Sequence, residues 1–266
     1  MRADGRAGQS EEGEKTKHPL VSALMPVYNT RADWLEPAIR GMAEQDYPNF
    51  KLLIGDNGST RASTLACLAS AEDRWPDRVR VVRMAEDCQK GTAYALDAAL
   101  KYASAQTAWF AKVDSDDMFA RGWISQRMQL AQRLPPQVAI VYDNYLQLAC
   151  EPRPHIIPIM LQPYDYRALL QNSYIPGPSM YRASVYDRIP RTYVYDGYEG
   201  KANKHGEDLA HWLAITDYWD GYWNDVDPAT TWCYRFYQGS KYNSDRKGVD
   251  YARTMLMERA KERRGL

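Results

Sequence analysis

Trp109-Phe110-Ala111-Lys112-Val113-Asp114-Ser115-Asp116-Asp117 is a short apolar run that breaks into three carboxylates within four residues. Like charges at this density repel, so a fold that gathers them at a strand end needs a cation there. In an extended segment residues two apart face the same way, so Asp114 and Asp116 are expected to reach one hard divalent ion together. Such an ion leaves room for an anionic ligand such as a diphosphate, which points to a nucleotide-sugar or nucleoside-triphosphate enzyme. The competing reading is an acidic turn or helix start with no ligand.

Outward from this run, the first half of the chain alternates apolar runs with helical spacing. Residues 20–25 read as a strand stopped by Pro26, and 51–54, 80–84 and 108–113 as three more. Between them, 32–45 carries Trp34, Leu35, Ala38, Ile39 and Met42 at helical intervals, and 62–73 and 92–103 read as helices. Strands separated in this way imply right-handed βαβ units and a mostly parallel sheet, whose ligands bind at the carboxyl ends of the strands. Those ends carry Tyr28-Asn29, Asp56-Asn57, Glu86-Asp87 and the acidic run.

The second half is less regular. A helix at 120–134 precedes Pro135-Pro136, and 138–142 reads as a strand. The proline-rich stretch 150–163 is loop or edge strand, and Ile175-Pro176-Gly177-Pro178-Ser179 a tight loop. Gly206-Glu207-Asp208 opens an amphipathic helix with acids at its start. A strand at 230–236 and a charged helix at 251–264 follow.

Lys plus Arg equals Asp plus Glu at 34 each, so no global field favours nucleic acid. No apolar run approaches the roughly 20 residues that cross a bilayer. Residues 1–17 lack an apolar core, which reads as neither signal peptide nor anchor, and 1–18 is taken as a disordered tail. Cys67, Cys88, Cys150 and Cys233 are far apart and form no C-x-x-C pair, which fits reduced thiols in a cytoplasmic protein and no zinc site. Twenty Tyr and eight Trp against four Phe hint at a polar, ring-shaped ligand. Spacing excludes other motifs. An EF-hand beginning at Asp114 would need Gly and Glu where Phe119 and Ser125 stand, and there is no P-loop, G-x-G-x-x-G, H-E-x-x-H or G-x-S-x-G.

Several of these pieces together resemble the family 2 inverting glycosyltransferases. Val21 to Asn29, with Pro26, Val27 and Tyr28, is similar to their opening strand, and Asp56-Asn57-Gly58-Ser59-Thr60 to their D-D-G-S turn. Gln89-Lys90-Gly91-Thr92-Ala93 resembles the segment before their third helix, Asp114-Ser115-Asp116-Asp117 their D-x-D signature, and Glu207-Asp208 their late E-D motif. The match spans about residues 20 to 240. It implies an α/β fold of GT-A type, a single Rossmann-like, mostly parallel sheet flanked by helices with a less regular acceptor-side half. The corresponding division is 19–117 for the nucleotide, 118–240 for the acceptor, and 241–266 as a helical extension.

The resemblance also implies roles. Pro26, Val27, Tyr28, Asn29, Asp56, Lys90, Asp114 and Ser115 would bind the nucleotide of a UDP, dTDP or GDP sugar. Asp56 would read the base, though it is equally a turn-former. Asp116, helped by Asp114, would hold Mn²⁺ or Mg²⁺ against the diphosphate. Asp208 would be the general base that deprotonates the acceptor hydroxyl, with Glu207 orienting, although both acids also suit a helix N-terminus. Gly177, Trp212 and His205 are candidates for sugar contacts, with the core as the favoured place for Trp212. The acceptor is a glycan, a lipid-linked saccharide or a small molecule. Asp117 is read as a helix cap.

The chain departs from the family in three places. It lacks Q-x-x-R-W and membrane helices, which argues against a processive synthase. Tyr237 stands where relatives carry a histidine near the metal, so that ligand is absent or comes from His205 or His211. Asp97 stands where relatives have Asn. A nucleotidyltransferase on a similar sheet, or a sugar-binding protein without catalysis, are the alternatives.

Overall fold

The computed structural model describes residues 18–85, 91–150, 153–195, 206–237 and 246–265. Val21–Val27 forms β1, buried along its whole length, as its near-continuous apolar sequence requires. Phe50–Asp56 (β2) and Trp109–Lys112 (β4) flank it, both parallel, and Val79–Arg83 (β3) lies parallel outside β2. Beyond β4 the direction changes. Ser179–Arg182 (β9) runs antiparallel to β4 and to Val138–Asp143 (β6), and Asp220–Asn224 (β10) completes the sheet parallel to β6. The order is β10-β6-β9-β4-β1-β2-β3, the mostly parallel sheet expected, with one reversed strand.

A second sheet of four strands stands at the carboxyl side of β4. Trp232–Phe236 (β11) pairs antiparallel with Met118–Phe119 (β5) and parallel with Tyr145–Ala149 (β7). His155–Ile159 (β8) is the edge strand that the proline-rich stretch allowed.

Period-two alternation divides the core. Ala23, Met25 and Val27 of β1 and Trp109, Ala111 and Val113 at β4 pack beneath Ala32–Ala43 (α1), Ala62–Arg74 (α2) and, further along the chain, Trp123–Ala131. Leu24 and Phe110 point the other way, toward Thr92–Lys101 (α3) and the later Glu207–Thr216. The helix Arg246–Arg264 buries Leu256, Met257 and Ala260 on that second face, so it packs on its own domain. No described helix is long and apolar enough to cross a membrane.

Pro26 does not end β1. The strand runs on to Val27, with Pro26 opposite Gly55 of β2. The carbonyl of Val27 accepts from Asn57 on the β2 side, while that of Leu24 accepts from Val113 on the β4 side. By alternation Pro26 faces β4, where the ladder has already stopped at Lys112, so its missing N–H leaves no gap. Asp97 also has its account. Its carboxylate accepts from the Thr192 hydroxyl at 2.5 Å and from the Tyr193 amide, tying α3 to that loop. An amide side chain has one oxygen and could not serve both donors in the same way.

Close approach of β2 to α3 makes a sharp demand on one glycine. A Cβ at Gly55 would lie 1.9 Å from the backbone oxygen of Ala95. Gly55→Ala is expected to cost about 3 kcal/mol or more of unfolding free energy, read by urea denaturation. An unchanged midpoint would show that α3 can move off the sheet without penalty.

Candidate active site

The acidic run does not stay extended. β4 ends at Lys112, and Ser115-Asp116 form a turn, so Asp114 and Asp116 leave in different directions rather than sharing one face. Each residue of the run is fastened separately. Asp114 Oδ1 accepts from Lys112 Nζ at 2.7 Å, and the Ser115 and Thr30 hydroxyls are 2.8 Å apart. Asp116 Oδ2 accepts from the Tyr237 hydroxyl at 3.3 Å, and its carbonyl from Arg235 Nε at 2.8 Å. Asp117 caps no helix. It is fully buried and accepts the Arg235 backbone N–H at 3.0 Å, which fixes the turn to β11.

Burial, with Asp114 close by, pushes the Asp116 carboxyl up to about 6. Burial and the two neighbouring aspartates raise Asp117 well above the usual carboxylate range.

Asp116 opens onto a cleft of about 510 Å³ lined by Tyr28, Asn29, Thr30, Arg31, Trp34, Arg61, Cys150 and Tyr237. Tyr28 is 44% exposed there. Asn29 stands at φ 49°, a conformation asparagine tolerates, and its Oδ1 accepts from the backbone of Thr60 and Arg61 at 2.9 and 2.8 Å. It therefore clamps the loop after β1 to the loop after β2. Asp56 lies buried in that second loop, where its Oδ1 caps Ser59 N at 3.0 Å; Pro26 and Val27 are enclosed below. The indole of Trp34 sits 4.5 Å from the Tyr237 ring, with the Arg31 and Arg235 guanidiniums 4.6 and 5.3 Å from it.

The second half supplies the other wall. Gly206 enters Glu207–Thr216 (α4, by order of introduction) at φ 103°, a left-handed conformation that favours glycine, so it sets where Glu207 and Asp208 begin. Asp208 Oδ1 is 3.0 Å from Lys112 Nζ. Gly177 lies directly over this group. A Cβ there would approach Lys112 Nζ to 2.6 Å, Asp208 Oδ2 to 2.7 Å and Asp114 Oδ2 to 3.0 Å. The side chain of Lys112 is 1% exposed, whereas those of Asp114 and Asp208 are 31% and 30% exposed. Burial alone would depress the lysine pKa, but Asp114, Asp208 and Glu207 outweigh it and hold the ammonium above its ordinary range.

Of the residues singled out from the sequence, Tyr28, Asn29 and Asp116 line that cleft, Ser115 is tied to Thr30 of its lining, and Asp114, Asp208 and Gly177 meet at Lys112; Lys112, Arg31, Trp34 and Arg61 were not among them. Lys112 passed as one member of an apolar run, although a lysine at an inward position two residues before an aspartate was its signal. Lys90 and His205 lie outside the described residues. Two expectations are corrected. Trp212 is fully buried in the core, 5.8 Å from the Tyr181 ring, and presents no face to a sugar. His211 cannot supply a metal ligand to the cleft, because it is fully buried, stacked 4.1 Å from Tyr193, with its Nδ1 2.7 Å from the Tyr195 hydroxyl.

The fold is that of the GT-A class of glycosyltransferases. The family model described as Glycosyl transferase family 2 matches residues 22–189, more than half of the chain, and the chain belongs to that family. Among similar proteins is the Escherichia coli UDP-Glc:alpha-D-GlcNAc-diphosphoundecaprenol beta-1,3-glucosyltransferase WfgD, 31% identical over 47% of this chain and 46% of that protein. The putative teichuronic acid biosynthesis glycosyltransferase TuaG of Bacillus subtilis is 29% identical over 42% of this chain and 41% of its own. The chain spans about half the length of the curated relatives it matches. In fold it resembles S. aureus TarS 1-349 in complex with UDP, with a TM-score of 0.61 and 14% identity over 91% of this chain and 65% of that one.

Burial drives the His211 pKa down to about 3. An unfolded histidine takes its proton near 6.5, so this group's contribution is full above that pH and is lost on acidification. About 2 kcal/mol of stability should disappear between pH 7 and pH 5. His211→Phe is expected to remove that share of the slope in urea unfolding at the two pH values. An unaltered slope would mean that the folded imidazole is protonated.

Proposed function

We propose that the chain is a metal-dependent, inverting glycosyltransferase that moves one sugar from a nucleoside-diphosphate sugar to an acceptor hydroxyl in glycan assembly. The observation that carries this reading is the meeting of Asp114 and Asp208 at one buried ammonium beside the Asp116 cleft. A donor-side carboxylate and a helix-start carboxylate otherwise far apart in sequence come together where a reacting sugar would lie.

In this mechanism the nucleotide occupies the cleft, with Tyr28 against the base and Arg31 and Arg61 near ribose or phosphate. Asp56 contributes through the loop it shapes and, with its second oxygen, through the base. Asp116 is a hard oxygen donor that opens onto the cleft, which suits Mn²⁺ or Mg²⁺ when a diphosphate and water supply the remaining oxygens. Such an ion, bound with the diphosphate, would neutralise the charge that grows on the leaving group. Asp208 takes the proton of the acceptor hydroxyl as that oxygen attacks the anomeric carbon from the face opposite the diphosphate. The bond to the diphosphate oxygen breaks with its electron pair, and the configuration at that carbon inverts.

The UDP in the TarS structure and the UDP-Glc donor named for the Escherichia coli relative support UDP as the first nucleotide to test. The same relative's acceptor supports a diphosphate-linked lipid saccharide as the acceptor class. Cytoplasmic action fits both substrates.

Calorimetric titration of UDP, GDP and dTDP, each with and without Mn²⁺, tests the reading. UDP should bind only with the metal, and Asp116→Ala should weaken that binding at least about a hundredfold. Protons compete with the cation for Asp116, so affinity should fall as pH drops through about 6. Asp208→Asn should retain UDP affinity and lose about three orders of magnitude in turnover. Metal-independent binding, or none to any of the three, sinks the proposal.

A further inference from the structure

Resting on that reading, we infer that Lys112 is a positioning residue for the transfer step, holding the general base Asp208 at a fixed place relative to the donor-side Asp114.

The argument starts from where the lysine sits. On β4 it shares the face of Phe110, which is a core position, and its side chain is 1% exposed. A lysine there is costly unless anions reach it, because its ammonium has given up water. Two do, at 2.7 Å from Asp114 Oδ1 and 3.0 Å from Asp208 Oδ1, with Glu207 adding to the field. The two carboxylates come from different places, one from the end of β4 and one from the first turn of a helix more than ninety residues later.

The geometry divides the work of each carboxylate. Asp114 Oδ1 accepts a hydrogen bond from the ammonium, and Asp208 Oδ1 is ion-paired with it at 3.0 Å without a hydrogen bond. Both Oδ2 atoms lie toward Gly177, each close to where its Cβ would be, and a third of each side chain remains open. One oxygen of Asp208 is therefore anchored while the other is left to accept a proton from an incoming hydroxyl. An ion pair at one oxygen restrains the base against turning away from the acceptor, which is the preorganisation that transfer requires. Gly177 completes the device, because any side chain there would push the ammonium and both carboxylates out of register. Lys112 itself faces away from solvent and touches neither donor nor acceptor, so it acts only through Asp208 and Asp114.

The test is a double-mutant cycle on the full chain with Lys112→Met and Asp208→Asn. The readouts are UDP affinity with Mn²⁺, and UDP release from whichever of UDP-glucose, UDP-galactose and UDP-N-acetylglucosamine the wild type hydrolyses fastest. Lys112→Met alone should lower kcat about a hundredfold or more while UDP affinity stays within about threefold. In the Asp208→Asn background the same change should cost less than about threefold, since the residue it positions is no longer a base. An undiminished cost in that background overturns the inference, as does a loss confined to UDP affinity or to KM. Should Lys112→Met fail to fold, Lys112→Arg decides. It keeps the charge but is too large for the space beneath Gly177, so it should bind UDP normally with kcat reduced about tenfold, and wild-type kcat would overturn the assignment. A wild-type chain that binds no nucleotide fails the transferase reading itself, which is a different result from variants that misbehave on an active enzyme.

Discussion

Everything around the cleft depends on one buried ammonium. At an effective dielectric near 20, two carboxylates about 5 Å apart repel by about 3 kcal/mol, and a lone lysine in the core is costlier still. Neither arrangement is tolerable alone. Together, Lys112, Asp114 and Asp208 balance one another's charge, and the two halves of the chain are brought to a common point. The reversed strand β9 makes this reachable. It pairs with β4 on the side away from β1 and follows directly on the Gly177 loop, so that loop lies over the end of β4.

A second set of contacts fixes the acidic turn from the other side. Thr30 holds Ser115, Tyr237 holds Asp116, and the Arg235 backbone holds Asp117. The turn is thus suspended between the loop after β1 and strand β11 of the smaller sheet. Asp117, which contributes no oxygen to the cleft, does structural work at the cost of its own second oxygen, which is buried without a hydrogen-bond partner. Tyr237 carries the position that a histidine occupies in relatives. It contacts Asp116 by its hydroxyl and packs at a tilt against Trp34, so the aromatic excess of this chain is partly spent on the cleft.

The sequence made the strand ends legible because the buried central strands of a parallel sheet gather their polar residues there. Asp208 and Gly177 were found through resemblance, since a helix-start acid and a tight proline loop have ordinary structural explanations. Lys112 escaped because the alternation of β4 marks its position as interior, and only the fold reveals which anions meet it. The extended reading of Asp114 and Asp116 failed for a related reason. Asp114-Ser115-Asp116 admits a turn as readily as a strand end, and the choice is made by partners such as Arg235, distant in sequence. The small strands β5, β7 and β10 were likewise unread, because each is too short to show a period without its neighbour.

Separating Asp114 from Asp116 has a consequence for how the proposed site would fill. With Asp114 drawn toward Lys112, Asp116 faces the cleft with only a tyrosine hydroxyl at 3.3 Å, and the described residues hold no cluster of three or more metal-binding side chains. A hard divalent ion accepts such a sparse protein donor set only when other oxygens complete its shell, as magnesium does with substrate phosphates and water. The elevated carboxyl pKa of Asp116 points the same way, since the site resists carrying unneutralised charge. Metal and diphosphate would then assemble on Asp116 together, and neither would be expected to bind tightly without the other. In the proposed mechanism Lys112 would make this division possible, because by holding Asp114 it would remove that carboxylate from competition for the same ion.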